Sequence, residues 1–375
     1  MTASQPLRSQ TIPKHFIQDL PTPGWPPIQR DVAGGRDPAT IRRMNLNESP
    51  FPPSPRAIAA MQEAVTRVNY YPDPKWRDLT AALSAHIGHP QDQIVMGCGS
   101  DELIVSVGRF CLSPDDEVVV GNPSFGSYNK AAQVNGAKVV AVPVRQDGAC
   151  DVQGMAEAVT DRTRLVFLAT PNNPTGGMLG TEDVIRLAKA LPDDVLLVLD
   201  EAYYEYGIHA GGDDHLKALA AARSGPWVSF RTFSKAYGLA GMRVGYGLCN
   251  TVELADTFQK MRSVFNVNAV AQAGALAALG DLDHMRSILE RTRIERERIA
   301  AGLIRLGCEP YPSVGNFLAA KTPKPAAAVV EAMLADYGVL IGRLMIPGFE
   351  DYIRITTATS DDTDVLLAGL EAVLA

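Results

Sequence analysis

The 375-residue chain lacks the marks of several large protein classes. No apolar run approaches the roughly 20 residues that a bilayer span needs; the longest, such as Val195-Leu196-Leu197-Val198-Leu199, are strand-sized. No membrane association is therefore expected. There is no basic excess: 35 lysines and arginines face 42 acidic residues, a formal net charge of −7. That balance argues against a general nucleic-acid binder, and no nucleic-acid partner is expected. The five cysteines, Cys98, Cys111, Cys150, Cys249 and Cys308, form no C-x-x-C pair. Their odd number fits reduced, buried thiols better than a disulfide framework. Phosphate-loop and HExxH patterns are absent. His86 and His89 flank Gly88 and Pro90 and read as a turn, so no metal is expected. Gly97-Cys98-Gly99 and Gly245-Tyr246-Gly247 begin like a dinucleotide fingerprint but lack its third glycine. Met1–Gln10 is polar, without the charged-then-apolar order of a secretory signal, so a soluble, cytoplasmic protein is expected.

What is present points to a folded α/β protein. The chain is 46% hydrophobic, which excludes disorder as a whole and allows two domains. Pro13, Pro21, Pro23, Pro26 and Pro27 keep the first fifty residues irregular. Ser54-Pro55 reads as an N-cap and first-turn proline opening a helix to about Val68, and a second helix follows Pro74. Strands are predicted at Glu117–Gly121, Lys138–Val142, Leu165–Ala169, Val195–Asp200, Trp227–Arg231 and Val244–Leu248, with helices near 127–135, 151–159 and 181–191. Continuous apolar strands alternating with helices predict a mostly parallel sheet covered on both faces, with ligands beyond the strands' carboxyl ends. After Asn250 a long helical region, broken near Asn266 and Gly280, leads to strands at Asn316–Ala320, Val339–Ile341 and Tyr352–Thr356 and helices at 326–337 and 361–374. The expected divisions are 1–50, an arm or part of the small domain; 51–265, a large domain; and 266–375, a small α+β domain.

Four stretches carry candidate chemistry. Val198-Leu199-Asp200-Glu201-Ala202-Tyr203 runs an apolar strand straight into an acid. A buried carboxylate needs a partner: a cationic ligand group, a structural salt bridge or a helix start. In Phe230-Arg231-Thr232-Phe233-Ser234-Lys235, followed by Gly238-Leu239-Ala240-Gly241-Met242-Arg243, hydroxyls and cations gather after a strand. They suit a phosphate and a nucleophilic amine, or an ordinary solvated surface. Thr170-Pro171-Asn172-Asn173-Pro174-Thr175-Gly176 offers side-chain amides in a rigid turn, or only a tight loop. Gly97-Cys98-Gly99-Ser100-Asp101-Glu102 opens a helix, either capping it or presenting free N–H groups to an anion.

Together these stretches resemble the class I/II aminotransferases, pyridoxal-phosphate (PLP) enzymes of fold type I, over about Asn45–Thr359. Lys235 lies 35 positions after Asp200, a spacing that resembles that family's. Asn45-Leu46-Asn47-Glu48-Ser49-Pro50, Tyr71-Pro72-Asp73 and Asn266-Val267-Asn268 resemble the histidinol-phosphate aminotransferase branch. The resemblance implies a large domain with a mostly parallel central sheet flanked by helices, plus a smaller α+β domain. It implies catalytic roles for Lys235, Asp200 and Tyr203. Lys235 would form the Schiff base with PLP and, once freed, carry the proton transfer. Asp200 would keep the pyridine nitrogen protonated. Tyr203 and Asn173 would bond the phenolic oxygen, and Phe125 would stack on the ring. Ser100, Asp101, Ser234, Arg243 and Thr232 would bind the phosphate. Tyr71 would reach the phosphate in a partner subunit, which implies a homodimer with shared sites. Arg354 would grip the substrate carboxylate, and Arg343 would meet a substrate phosphate.

The resemblance also implies small-molecule partners, an amino donor and a 2-oxo acid acceptor. Two departures bear on the donor. Gly342-Arg343 sets the arginine one position later than in the branch, and a one-residue shift turns a strand side chain to the other face unless a bulge compensates. Asp31-Val32-Ala33-Gly34 stands where a Tyr-x-Pro-Gly-like stretch is expected. An aromatic or other amino-acid aminotransferase, or a decarboxylase of a phosphorylated amino acid, remain alternatives on the same scaffold.

Overall fold

The computed structural model describes residues 14–22 and 26–375. Met1–Gln10, Pro13 and Pro23 of the expected arm lie outside the described residues. Among the described residues twelve strands form: β1 (Arg42–Met44), β2 (Ile94–Gly97), β3 (Glu117–Asn122), β4 (Lys138–Pro143), β5 (Thr163–Ala169), β6 (Leu196–Asp200), β7 (Trp227–Thr232), β8 (Gly245–Cys249), β9 (Glu309–Pro310), β10 (Phe317–Lys321), β11 (Val339–Arg343) and β12 (Tyr352–Thr356). Seven of them make a sheet in the order β2-β8-β7-β6-β5-β3-β4, in which only β8 runs antiparallel to its neighbours.

Alternation along the central strands explains why both faces of this sheet are covered. Val166 and Leu168 of β5, with Leu197 and Leu199 of β6, face one apolar core. Leu165 and Phe167, with Leu196 and Val198, face another. Helices Arg77–Ile87 and Thr181–Ala190 supply Leu79, Leu83, Val184 and Leu187 to the first core. Helices Ser100–Cys111 and Gly126–Gln133 supply Leu103, Ile104, Val107, Tyr128 and Ala131 to the second. Strands buried on both faces have no polar side to display, which is why their sequences are continuously apolar.

The second sheet, β1-β11-β12-β10-β9, is mixed: β1 lies parallel to β11, and the other pairs are antiparallel. The arm therefore contributes a strand to the small sheet. The helix opened by Pro55 ends at Val65, three residues short of the expected Val68, ahead of the Pro72 and Pro74 turn; Ser54 caps it by accepting the Ala57 N–H. The expected boundary at 265/266 precedes helix Ala269–Leu279, yet Ala271, Ala275 and Ala278 of that helix pack in the large sheet's core. The small sheet's core takes up only the far end of helix Leu282–Arg305, from Ile299 and Leu303. That long helix carries the chain from one layer to the other.

An ion pair ties β6 to β7 from within. Arg231 Nε and Nη2 donate to Glu201 Oε2 at 3.0 and 2.9 Å, and both side chains are only 1% exposed. Ser229 donates to the same oxygen at 2.6 Å. Removing one member of a buried pair strands the other charge, at a cost of about 3–5 kcal/mol. Glu201→Ala is therefore expected to lower the unfolding free energy by up to that order, since Asp214 still reaches Arg231 at 3.5 Å, and so to lower the urea midpoint at unchanged slope. A midpoint within experimental error of the parent would mean that solvent reaches Arg231.

Candidate active site

The parallel strands end on one edge, and the candidate residues follow those ends in turn. β2 leads to Ser100 and Asp101, β3 to Phe125, β5 to Asn173, β6 into Asp200 and Tyr203, and β7 into Thr232, Ser234 and Lys235. With Arg243, all of these line one cavity, together with Tyr128. Ligand binding beyond the carboxyl ends follows from the topology.

Asp200 is the last residue of β6 and is buried. Oδ2 accepts from the Tyr128 hydroxyl at 2.7 Å and Oδ1 from the Ala202 amide at 3.0 Å. Burial raises its pKa to about 6, against the lowering by these two bonds. Among the described residues it joins no ion pair, so the salt-bridge reading of Asp200 falls away.

Lys235 Nζ donates to the Asn47 carbonyl at 2.9 Å and lies 5.6 Å from the centre of the Tyr203 ring. Burial, then the nearby Arg354 charge, brings its pKa down to about 8. A surface lysine would show neither effect. Asn47 also donates to the Tyr203 hydroxyl at 3.0 Å. Its own N–H is held by Thr356 Oγ1 at 2.8 Å, so the small sheet reaches the lysine through this one residue.

The other end of the cavity is an anion cradle. Helix Ser100–Cys111 follows Gly99 with no side-chain cap, so its first N–H groups remain available, which favours anion binding over capping. Thr232 Oγ1 donates to Ser234 Oγ at 3.0 Å, and Arg243 Nη1 donates to the same oxygen at 3.3 Å. Gly99 and Gly245 keep the cradle open. A Cβ on Gly99 would run into the Arg243 guanidinium, and one on Gly245 would meet the Ser100 nitrogen at 2.5 Å. A flat ring with a phosphate at one end and a basic nitrogen at the other fits these residues, between the helix start and Asp200.

Arg354, on β12, donates to the Asn45 carbonyl at 2.7 Å and to Asn173 Oδ1 at 3.1 Å, while its buried Nε has no partner. Arg343 is exposed. The register pairs it with the core residue Ile353 and sets Gly342 opposite Arg354, with no bulge between β11 and β12. The two arginines nonetheless border one groove, with Asn173 and Phe125. Tyr71 lies outside the cavity, 82% exposed and stacked on Phe265 at 4.4 Å. Asp31, at the other departure, sits in the short helix Gln29–Val32.

The sequence reading assigned no role to Tyr128 or Asn47. Tyr128 stands three residues after Phe125, and that helical spacing was the available signal. Asn47 was visible only as part of the Asn45–Pro50 resemblance, and its role was not, because its contacts are long-range.

A lysine of lowered pKa across from a buried acid, at the carboxyl edge of a parallel sheet, places the fold among the fold type I enzymes that work with PLP. The sequence pattern of the family described as aminotransferase class I and II matches residues 40–370, and the chain belongs to that family. It is 41% identical over 342 residues to a histidinol-phosphate aminotransferase of Roseiflexus castenholzii, covering 89% of this chain and 90% of that one. It is 36% identical over 339 residues to histidinol-phosphate aminotransferase 1 of Mesorhizobium japonicum, covering 90% and 91%. The crystal structure of histidinol-phosphate aminotransferase from Sinorhizobium meliloti, in complex with pyridoxal 5'-phosphate, superposes with a TM-score of 0.88 at 33% identity, covering 99% of each chain. Among the described residues no helix is long and apolar enough to cross a membrane.

Only the neutral amine attacks an aldehyde. Because its pKa is lowered, Lys235 is neutral from about pH 8 upward, not from the ordinary 10.5. Aldehyde capture at Lys235, trapped by borohydride and read by mass spectrometry, is expected to rise with a midpoint near pH 8. A midpoint in the ordinary lysine range would show that the amine is solvated.

Proposed function

We propose that the protein is a histidinol-phosphate aminotransferase that moves the amino group of histidinol phosphate to a 2-oxo acid. One observation carries the transfer chemistry: Lys235, Asp200 and the anion cradle converge on a single cavity. The donor rests on the names of relatives 36–41% identical over nine-tenths of the chain.

In this reading Lys235 holds the cofactor covalently, and its freed Nζ takes and returns the proton of the substrate α-carbon. Bound PLP supplies an electron-accepting ring. Asp200 keeps the ring nitrogen protonated. Tyr203 and Asn173 would hold its phenolic oxygen, and Phe125 would pack on the ring. The first N–H groups of helix Ser100–Cys111, with Thr232, Ser234 and Arg243, take the phosphate. Arg354, with its unpartnered Nε, would take the carboxylate of the 2-oxo acid and, in the same place, the phosphate ester of the donor, with Arg343 as a second cation for that phosphate.

The register of β11 favours a second reading. With Gly342 opposite Arg354, and Arg343 paired to Ile353, the arginine starts from the face away from the site. A donor without a phosphate, such as an aromatic amino acid, needs no such arginine. Absorbance spectra of the PLP-loaded protein, mixed with each donor and no acceptor, separate the two. Conversion to the pyridoxamine form by histidinol phosphate is expected. Conversion by phenylalanine or tyrosine alone would replace the donor, and conversion by neither would reject both.

The assembly in this reading is a homodimer. Tyr71 is exposed beside Val68, Tyr70 and Val264, each at least 60% exposed, an apolar surface that a partner subunit would cover. Sedimentation is expected to return twice the chain mass, and Tyr71→Ala to loosen PLP retention in the dimer. A monomer that keeps PLP as firmly as the parent would refute the shared site.

A further inference from the structure

Asp200 sits in an apolar environment, and that raises the question of what keeps it charged and aimed. Two hydrogen bonds reach it. The Ala202 amide holds Oδ1 from within the same turn. The other comes from a different layer: Tyr128 Oη donates to Oδ2 at 2.7 Å from helix Gly126–Gln133, across the end of β5.

Tyr128 is itself rigidly placed. It is 1% exposed. Its ring stacks on Phe167 of β5 at 4.4 Å, with 10° between the planes, and meets the edge of Phe125 at 5.7 Å. Among the described residues this hydroxyl has no other hydrogen-bond partner, and its side chain lines the cavity beside Asp200.

We propose that Tyr128 is the positioning residue for Asp200. Its hydroxyl orients Oδ2 and favours the charged carboxylate that faces the cofactor's ring nitrogen. This rests on the reading of Asp200 given above. Burial and the neighbouring Asp200 charge hold the Tyr128 phenol well above its ordinary pKa, so it stays a donor across the working range. Glu201 and Asp101 raise its pKa, as burial does, while Lys235 acts on it from the turn after β7. Tyr203, from the turn after β6, is a phenol pushed up to about 12 and so uncharged. Cys150, near Tyr128, is buried with its thiol pushed up to about 11. Tyr128 is the neighbour whose side-chain bond counters burial, so losing it moves the Asp200 pKa upward from about 6, toward neutrality.

Affinity for two ligands tests the assignment: PLP, and its 1-deaza analogue, in which carbon replaces the ring nitrogen. Full-length protein freed of cofactor is titrated with each, as the parent, Tyr128→Phe and Asp200→Asn. Tyr128→Phe keeps the stacked ring and removes only the hydroxyl. It is expected to weaken PLP about tenfold, to leave the analogue unchanged, and to shift the acid loss of PLP binding to higher pH. Equal weakening of both ligands would mean that Tyr128 only packs, and unchanged PLP affinity would mean that its hydroxyl is idle; either overturns the proposal. Asp200→Asn is expected to erase the parent's preference for PLP over the analogue. If that preference survives, Asp200 does not face the ring nitrogen, and the underlying reading fails with the proposal.

Discussion

A carboxylate placed among apolar strands costs several kcal/mol unless something answers its charge. Asp200 stands at that point: the end of β6, between two dry cores, with its pKa raised by burial. Much of the site can be read as an answer to this cost. The parallel order of β5, β6 and β7 brings the Thr170–Thr175 turn, the acid and the Lys235 turn to one edge. Tyr128 and the Ala202 amide provide the two bonds the carboxylate has without a ligand. The next residue along, Glu201, is buried too, but the chain supplies its counter-ion in Arg231. Two adjacent buried acids thus have different fates. One is neutralised within the protein, and the other faces a cavity where a cationic ring nitrogen fits.

How much of this was legible in the sequence varies residue by residue. Asp200 stands out because it closes a continuous apolar strand, and Lys235 because hydroxyls and cations gather after a strand; polar groups in those positions lie at the edge where ligands bind. β12 and helix Ala326–Tyr337 match their expected bounds because uninterrupted apolar periodicity marks them. β1 left no such trace, since two of its three residues are arginines and its place depends on pairing with β11. β2 is four residues long and runs into a glycine turn, so it reads as part of the loop. The role of Asn47 was illegible for a different reason. Its partners Tyr203, Lys235 and Thr356 lie 156, 188 and 309 positions away, and only the folded chain brings them near. The position of Arg343 in its strand is visible, but the face it takes is a matter of register, which no single strand encodes.

Asn47 adopts a left-handed backbone with φ of 53°, a conformation that asparagine tolerates better than most residues. The turn lets one residue serve two layers. Its N–H is held by Thr356 of the small sheet, and its carbonyl receives both Asn316 Nδ2 and Lys235 Nζ. Arg354, also on the small sheet, grips the Asn45 carbonyl two residues earlier.

This short strap is a mechanical linkage. Any rotation of the small sheet relative to the large one pulls on the carbonyl that restrains the lysine. On the proposed reading of Arg354, a ligand held there would sit two residues along the chain from the carbonyl that restrains the amine.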